Sequence, residues 1–173
     1  GGSVVVENGY AYVGHMDPPN GTSIIDVKDP KHPKVVAHIP IAEGLHSHKV
    51  RVHGDIMLIN YEQFKSKTPP QAGLKIFDIS DRTQPREIGF YKTPGKGVHR
   101  FTFDGRYAYI SPTVEGYQGN IAMMLDMKNP EKPEEAMRWW MPGQWVAGGE
   151  TPNFKGADTR CHHPIRKGDR LYI

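Results

Sequence analysis

The chain has 173 residues, 37% of them hydrophobic and 24% charged, which is an ordinary soluble globular composition. The net charge of +3 comes from scattered Lys and Arg rather than a basic block, so a nucleic-acid or anionic-membrane partner gains little support. No run of roughly 18 apolar residues predicts a membrane span, and a single cysteine, Cys161, excludes an internal disulfide. These features leave the compartment, cytoplasmic or periplasmic, undecided.

An internal repeat organises the chain. Three segments share an aliphatic run, an aspartate and a proline-containing turn, and they are residues 22–36, 74–88 and 123–133. Their aspartates, Asp26, Asp78 and Asp126, lie 52 and 48 residues apart, a period that suits four short strands per unit. Fifteen prolines and nineteen glycines leave little room for long helices.

Each unit divides into four predicted antiparallel strands. In chain order the strands are predicted over 3–6, 10–16, 22–28 and 34–41, then 48–53, 55–61, 72–79 and 86–92, and then 98–103, 107–112, 120–127 and 134–141. A tight-turn pair, Asn8-Gly9, supplies the positive φ needed ahead of the second strand. A stretch rich in Gly, Pro and polar residues over 142–160 is predicted to be an insertion loop before an incomplete fourth unit.

Two of the repeated segments resemble the LVIVD repeat. They read IIDVKDP at residues 24–30 and KIFDIS at 75–80, against a pattern of three aliphatic residues, Asp, an aliphatic residue, Ser or Lys, and Asn or Asp before Pro. The third copy departs from the pattern, with Met123, Met124 and Met127 in place of branched residues. Proteins with this repeat are similar to β-propellers.

The resemblance implies an all-β fold made of four-stranded antiparallel propeller blades. We expect a single partial β-propeller domain over 1–173, with blades at about 3–41, 48–92, 98–141 and an incomplete one at 161–173. About three and a third blades cannot close a ring and would leave exposed strand edges. We therefore expect a segment of a ring of about seven blades, completed by the rest of a longer protein or by another chain.

Three histidines hold one position of the repeat. His48, His99 and His162 each lie eleven residues before the aliphatic end of a following strand. Inner strands of propeller blades surround the axis, so residues at one repeat position can converge there. Imidazole is the commonest protein metal ligand, and we predict that the three hold a divalent transition metal: Fe, Cu, Mn or Zn. The neighbouring His46 and His163 are further candidates, and a structural or water-lined channel is the alternative.

Acidic residues follow the second strand of each unit. They are Asp17, Glu62 and Glu115. Such a carboxylate fixes the tautomer of a ligating histidine or transfers a proton, so Glu62 and Glu115 are predicted catalytic residues and Asp17 is a further candidate. His15 is a candidate for substrate contact, and Glu150 is a candidate to reach the site from a lid formed by the insertion loop.

The axial histidine placement resembles that of metal-centred propellers, namely the carotenoid-cleaving oxygenases and the selenium-binding, methanethiol-oxidase type. This resemblance of placement implies oxidation or oxidative cleavage of a small organic or sulfur-containing substrate by a metal-dependent enzyme. Two other functions stay open. One is a non-enzymatic propeller scaffold that binds a protein or peptide on its face. The other is a lactonase-like hydrolase with a divalent cation, which would prefer Asp, Asn and Glu ligands.

Overall fold

A computed structural model describes residues 2–64, 71–151 and 160–173. The helical structure in these ranges is one 3-10 turn, Val146–Gly148, and no helix there has the length and apolar character needed to cross a membrane. The strands are β1 (Val4–Glu7), β2 (Tyr10–Gly14), β3 (Thr22–Asp26), β4 (Lys34–Ile39), β5 (Leu45–His46), β6 (Val50–His53), β7 (Ile56–Gln63), β8 (Gly73–Asp78), β9 (Arg86–Lys92), β10 (Val98–Phe103), β11 (Tyr107–Pro112), β12 (Ala122–Asp126), β13 (Glu134–Trp139), β14 (Ile165–Lys167) and β15 (Arg170–Tyr172).

The strands form consecutive antiparallel sheets, each a propeller-like blade. The first sheet has the order β1-β2-β3-β4 and the third has the order β10-β11-β12-β13. The second has the order β5-β7-β8-β9, with β6 also paired to β7, and a β14–β15 hairpin follows the third. The predicted all-β class with four-stranded antiparallel blades is therefore confirmed.

The second blade differs from the prediction at its inner edge. One inner strand was expected over 48–53, but the inner edge consists of two short strands, β5 and β6, that both pair with β7. The β7 strand also runs on to Gln63, beyond the expected end at residue 61. This extension matters for the site because it places Glu62 on a strand rather than in a loop.

The repeated aspartates are structural. Asp26, Asp78 and Asp126 each accept the backbone N–H two residues ahead, at 3.0, 2.9 and 2.7 Å, which closes an Asx turn after β3, β8 and β12. A β-bulge precedes each aspartate at the same place in the three blades. The third copy therefore adopts the same turn and bulge although methionines replace its branched residues.

One hydrophobic core lies between the first and second blades, and another lies between the second and third. Along β7, side chains alternate between the two faces of the sheet. Met57 and Ile59 pack in the core shared with the first blade, which includes Tyr12, whereas Leu58 packs in the core shared with the third blade, which includes Phe101. Face-to-face packing of the blades places the starts of their inner strands side by side.

Candidate metal centre

The three predicted ligands lie next to one another. The ring centroids of His48 and His99 are 5.6 Å apart, and those of His99 and His162 are 5.2 Å apart. His46 joins them, with its ring centroid 5.8 Å from that of His48. The structure thus brings together four imidazoles and the carboxylate of Glu62, and these five side chains are the histidine cluster below.

Asn60 holds the backbone on which two of these histidines sit. It is fully buried on the face of β7 that meets the third blade. Its Oδ1 accepts the N–H of Lys49 at 2.7 Å, and its Nδ2 donates to the carbonyls of Val98 and His99 at 3.0 and 3.4 Å. One buried amide therefore fixes the segment after His48 and the segment around His99 relative to each other.

Ser111 repeats this contact one blade further along. Asn60 and Ser111 each lie twelve residues after a cluster histidine. The Oγ of Ser111 accepts the N–H of Arg100 at 3.1 Å, and it lies 2.9 Å from the Arg100 carbonyl and 3.2 Å from the His162 carbonyl, either of which can accept its proton. The same repeat position in two blades thus anchors the histidine of the next blade.

The first blade anchors His48 with backbone instead. At the position equivalent to Asn60 and Ser111 it has Gly14, and a Cβ there would lie 2.8 Å from the carbonyl carbon of His48. The N–H of Ser3 donates to the His48 carbonyl at 2.8 Å. A glycine is required here because the His48 backbone packs directly against the β2 strand.

Glu62 links two blades. It pairs with His46 across the β5–β7 ladder and forms an isolated bridge with Gly97. Gly97 has φ of 93°, and a Cβ there would lie 2.2 Å from the Tyr61 carbonyl oxygen, so this close approach requires glycine. Both oxygens of Glu62 lie 2.9 Å from Nδ1 of His99. Since a carboxylate only accepts, Nδ1 of His99 carries the hydrogen-bonding proton, so in the neutral ring the lone pair that can bind a ligand lies on Nε2.

The cluster contains a set of atoms able to hold a metal ion. His46, His48 and Glu62 each offer one ligand atom, and the three atoms lie within 4.8 Å of one another. Two imidazoles and one carboxylate are a donor set that suits Fe, Zn, Mn or Cu and leaves coordination positions open. The predicted set of His48, His99 and His162 does not come this close among the described residues, so it stays a prediction beside the set that contains Glu62. Glu62 either ligates with His46 and His48, or it orients His99 as a ligand.

Two of the cluster imidazoles, those of His48 and His162, have lowered pKa values that favour the neutral form that binds metals. His48 is buried, and this burial, followed by the charge of Lys49, lowers its pKa to about 3. Its Nδ1 is buried, and the described part of the chain offers it no hydrogen-bond partner. His162 is exposed, but partial desolvation of its ring also lowers its pKa, with the charge of Arg100 as the next cause. No proton therefore has to be displaced from His48 for it to ligate at neutral pH.

Cations surround the histidine cluster. Lys49 is buried, and burial lowers its pKa, followed by the charges of Arg100 and Arg51. Arg51 lies with its guanidinium carbon 5.9 Å from the ring centroid of Phe101. Within residues 2–64, 71–151 and 160–173, none of these three cations forms an ion pair with a carboxylate. The environment of the cluster is therefore positive.

Comparison with known families bears on the fold. A model of the LVIVD repeat matches residues 1–39 and 70–93. The chain resembles LVIVD-repeat proteins. The matched segments correspond to the first blade and to the outer strands β8 and β9 of the second, and the match supports the repeat and propeller family. No curated protein matches the chain significantly.

Two further candidate histidines of this LVIVD-like chain lie outside the cluster. Nε2 of His163 lies 3.3 Å from the carbonyl oxygen of Phe101, to which it donates, so this nitrogen is hydrogen-bonded to β10, the inner strand of the third blade. His15 belongs to the first blade, where its Nε2 lies 3.0 Å from Oγ of Ser23. That hydroxyl lies 3.2 Å from Nδ1 of His38, which makes a separate polar chain.

The structure does not bring the remaining acidic candidates to the cluster. Asp17 and Glu115 are exposed, and neither forms a hydrogen bond or ion pair with the described cluster residues. Glu150 accepts hydrogen bonds from the backbone N–H groups of Gly143 and Trp145, at 2.8 and 3.1 Å, and so orders the loop after β13. Residues 152–159 of the predicted insertion loop lie outside the described residues.

Sequence reasoning did not find the groups that anchor the cluster. Asn60 and Ser111 share a repeat position, and the twelve-residue spacing from His48 and His99 was available as a signal. Their different chemistry, amide against hydroxyl, hides the equivalence. Only their hydrogen bonds to backbone carbonyls of the next blade show that both residues anchor a histidine segment.

Proposed function

We propose that the histidine cluster binds one divalent transition metal and that the metal serves a redox enzyme acting on a small organic or sulfur-containing molecule. The observation that carries the metal site is the ligand set of His46, His48 and Glu62, whose ligand atoms lie within 4.8 Å of one another. The buried, neutral imidazole of His48 supports it. A metal with open positions supplies a place for substrate or dioxygen to bind.

The residues of the cluster have distinct roles in this proposal. His48 is a ligand in either assignment. His46 ligates when Glu62 does, because the two are cross-strand partners. When Glu62 instead holds the proton on Nδ1 of His99, His99 and His162 complete the ligand set. Glu62 is the group placed to accept a proton. Glu115 lies on an exposed loop, and its catalytic role stays a prediction.

The oxidative reaction is the preferred class because the donor set is rich in imidazole. Two imidazoles with one carboxylate occur in redox-active iron sites with open positions and also in hydrolytic zinc sites, so the preference rests on binding of a redox-active metal. A lactonase-like hydrolase would use mostly oxygen ligands. Turnover under air and under anaerobic conditions separates the two classes, because hydrolysis needs no oxidant.

Metal binding is the first test. The purified chain is freed of metal and titrated separately with Fe(II), Mn(II), Zn(II) and Cu(II), and bound metal is measured by elemental analysis after gel filtration. We expect about one equivalent, with affinity reduced at least about tenfold in His48→Ala. His32→Ala is the matched control, since His32 lies on an exposed turn and, among the described residues, its ring pairs with Asp29.

Two outcomes refute the metal site. One is wild-type protein that retains no transition metal. The other is an affinity that is the same in His48→Ala and in His32→Ala. Circular dichroism of each variant shows whether it folds, and His48→Gln replaces His48→Ala if the smaller side chain disrupts the blade. Glu62→Gln against His99→Ala distinguishes the assignments, because the larger loss marks the direct ligand.

A further inference from the structure

A pair of cations repeats beside the histidines. Lys49 directly follows His48, and Arg100 directly follows His99, so the two hold one position in consecutive blades. Lys49 is 8% exposed, and its ammonium group forms no hydrogen bond or ion pair with any described residue. Nε of Arg100 is buried and likewise has no hydrogen-bond partner in the described ranges. Two cationic side chains are therefore partly desolvated without a counter-charge.

The carboxylate of the cluster forms no ion pair with either cation among the described residues. Both oxygens of Glu62 are engaged by Nδ1 of His99 at 2.9 Å. Burying a cation without an anion is unfavourable, and proteins normally pair it with an acid or with a bound anion. A divalent metal on the histidines would increase the positive charge. The missing component is thus an anion.

The backbone brings the two cations onto neighbouring inner edges. In β10 the register shifts between Val98 and Phe101, and such a bulge re-aims the side chains within it. Asn60 links the N–H of Lys49 to the His99 carbonyl, and Ser111 links the N–H of Arg100 to the His162 carbonyl, so both cations start from inner edges that are hydrogen-bonded to the next blade. The charge of Arg100 also lowers the pKa of Lys49, of His48 and of His162.

We propose that Lys49 and Arg100 bind the oxyanion group of a small ligand, a carboxylate or a phosphate, directly beside the histidine cluster. A guanidinium donates two parallel hydrogen bonds to either group, and an ammonium adds a point charge. That the anion is the substrate of the redox site rests on the proposed function. Anion binding by itself needs no metal and is tested separately.

The test uses the full chain after metal removal with a chelator. Inorganic phosphate and acetate are titrated separately by isothermal calorimetry at low ionic strength. Lys49→Met and Arg100→Gln remove one charge each. Lys92→Met and Arg170→Gln are matched controls, because both residues are exposed on strands β9 and β15.

We expect saturable binding of at least one of the anions by the wild-type chain. Each cluster variant should raise Kd about tenfold, as the loss of one charge-assisted hydrogen bond predicts, and each control should change it less than about twofold. Tighter phosphate binding indicates a phosphate ester as ligand, and tighter acetate binding indicates a carboxylate. Lys49→Arg, which keeps the charge, should restore most of the affinity.

Two results overturn the inference. One is no saturable binding of either anion, and the other is an equal effect of the cluster and control variants. Failure here is distinct from failure of the metal site. Lys49→Met should keep metal binding while losing anion binding, whereas His48→Ala should keep phosphate or acetate binding while losing the metal.

Discussion

Asn60→Ala tests whether one buried amide holds the cluster together. Asn60 is fully buried and makes hydrogen bonds to Lys49, Val98 and His99. Alanine removes the acceptor for one backbone N–H and the donor for two carbonyls. We expect the folded blades to remain but the second and third blades to lose their fixed register at the histidines.

The magnitude follows from these three bonds. An average buried hydrogen bond contributes about 1 kcal/mol, and a buried group left without a partner costs about 1–3 kcal/mol. The Lys49 N–H is the group that loses its acceptor, while each carbonyl has a second lone pair. The expected loss is about 2–4 kcal/mol in the free energy of unfolding, a large part of the stability of a typical domain. Metal affinity should fall about tenfold because the ligands lose their positioning.

Urea unfolding followed by circular dichroism measures the first effect, and metal titration measures the second. Asn20→Ala is the control, since Asn20 is exposed and makes no hydrogen bond with described residues. Asn60→Ser imitates Ser111 of the third blade and should recover part of the stability. An Asn60→Ala protein within about 0.5 kcal/mol of wild type, with unchanged metal affinity, would refute the reasoning.

Three further measurements follow. Burial lowers the pKa of His48 from its ordinary value of 6.5 to about 3 in the folded chain, so between these pH values the unfolded chain binds a proton that the folded chain does not. Metal-free protein should therefore lose about 1.4 kcal/mol of stability per pH unit from this group as pH falls from about 6.5 toward 3. Urea unfolding at several pH values gives the unfolding free energy as a function of pH. This free energy should fall less steeply with decreasing pH in His48→Gln than in wild type. Equal slopes would contradict a lowered pKa of His48. Gly14→Ala places a Cβ 2.8 Å from the His48 carbonyl carbon and should cost about 1–3 kcal/mol in unfolding free energy. An unfolding free energy equal to that of wild type would show that β2 and the His48 backbone can move apart without cost. Burial raises the pKa of Cys161 to about 12, so iodoacetamide at pH 8 should alkylate it slowly until urea unfolds the chain, and rapid native labelling would contradict its burial.

The blades could be predicted from sequence because their signals are local. Strand alternation, the Asx turns of Asp26, Asp78 and Asp126, and the spacing between them all arise within one unit. The split inner edge of the second blade could not be predicted in the same way. It depends on β7 running on to Glu62 and bridging to Gly97 of the next blade, which is a contact between units.

The site shows the same division. Spacing identified His48, His99 and His162, which the structure places side by side, although their metal binding stays a prediction. Spacing ranked His46 behind His48, because only His48 shares the eleven-residue spacing. The place of His46 opposite Glu62 depends on the pairing of β5 with β7, which the spacing does not predict. Glu115 was grouped with Glu62 because both follow the second strand of a unit, but β11 ends at Pro112 and a bridge from Thr113 to Asn120 closes the following loop. Glu115 lies in that loop and is exposed.

Local charge predicts that metal and anion bind cooperatively. The cluster has one carboxylate, Glu62, beside the cations Lys49 and Arg100, so a divalent metal alone adds charge of the unfavourable sign. A phosphate or acetate held by the two cations would lower that repulsion. Coupling of binding free energies is reciprocal, so phosphate or acetate should raise metal affinity by the factor by which metal raises anion affinity. We expect about five- to tenfold in each direction, measured by Zn(II) titration with and without phosphate or acetate and by the reverse titration.

Lys49→Met should reduce the coupling while leaving metal affinity without anion equal or higher, because it removes a repelling charge. A lower intrinsic metal affinity in Lys49→Met would mean that Lys49 supports the ligands rather than the anion.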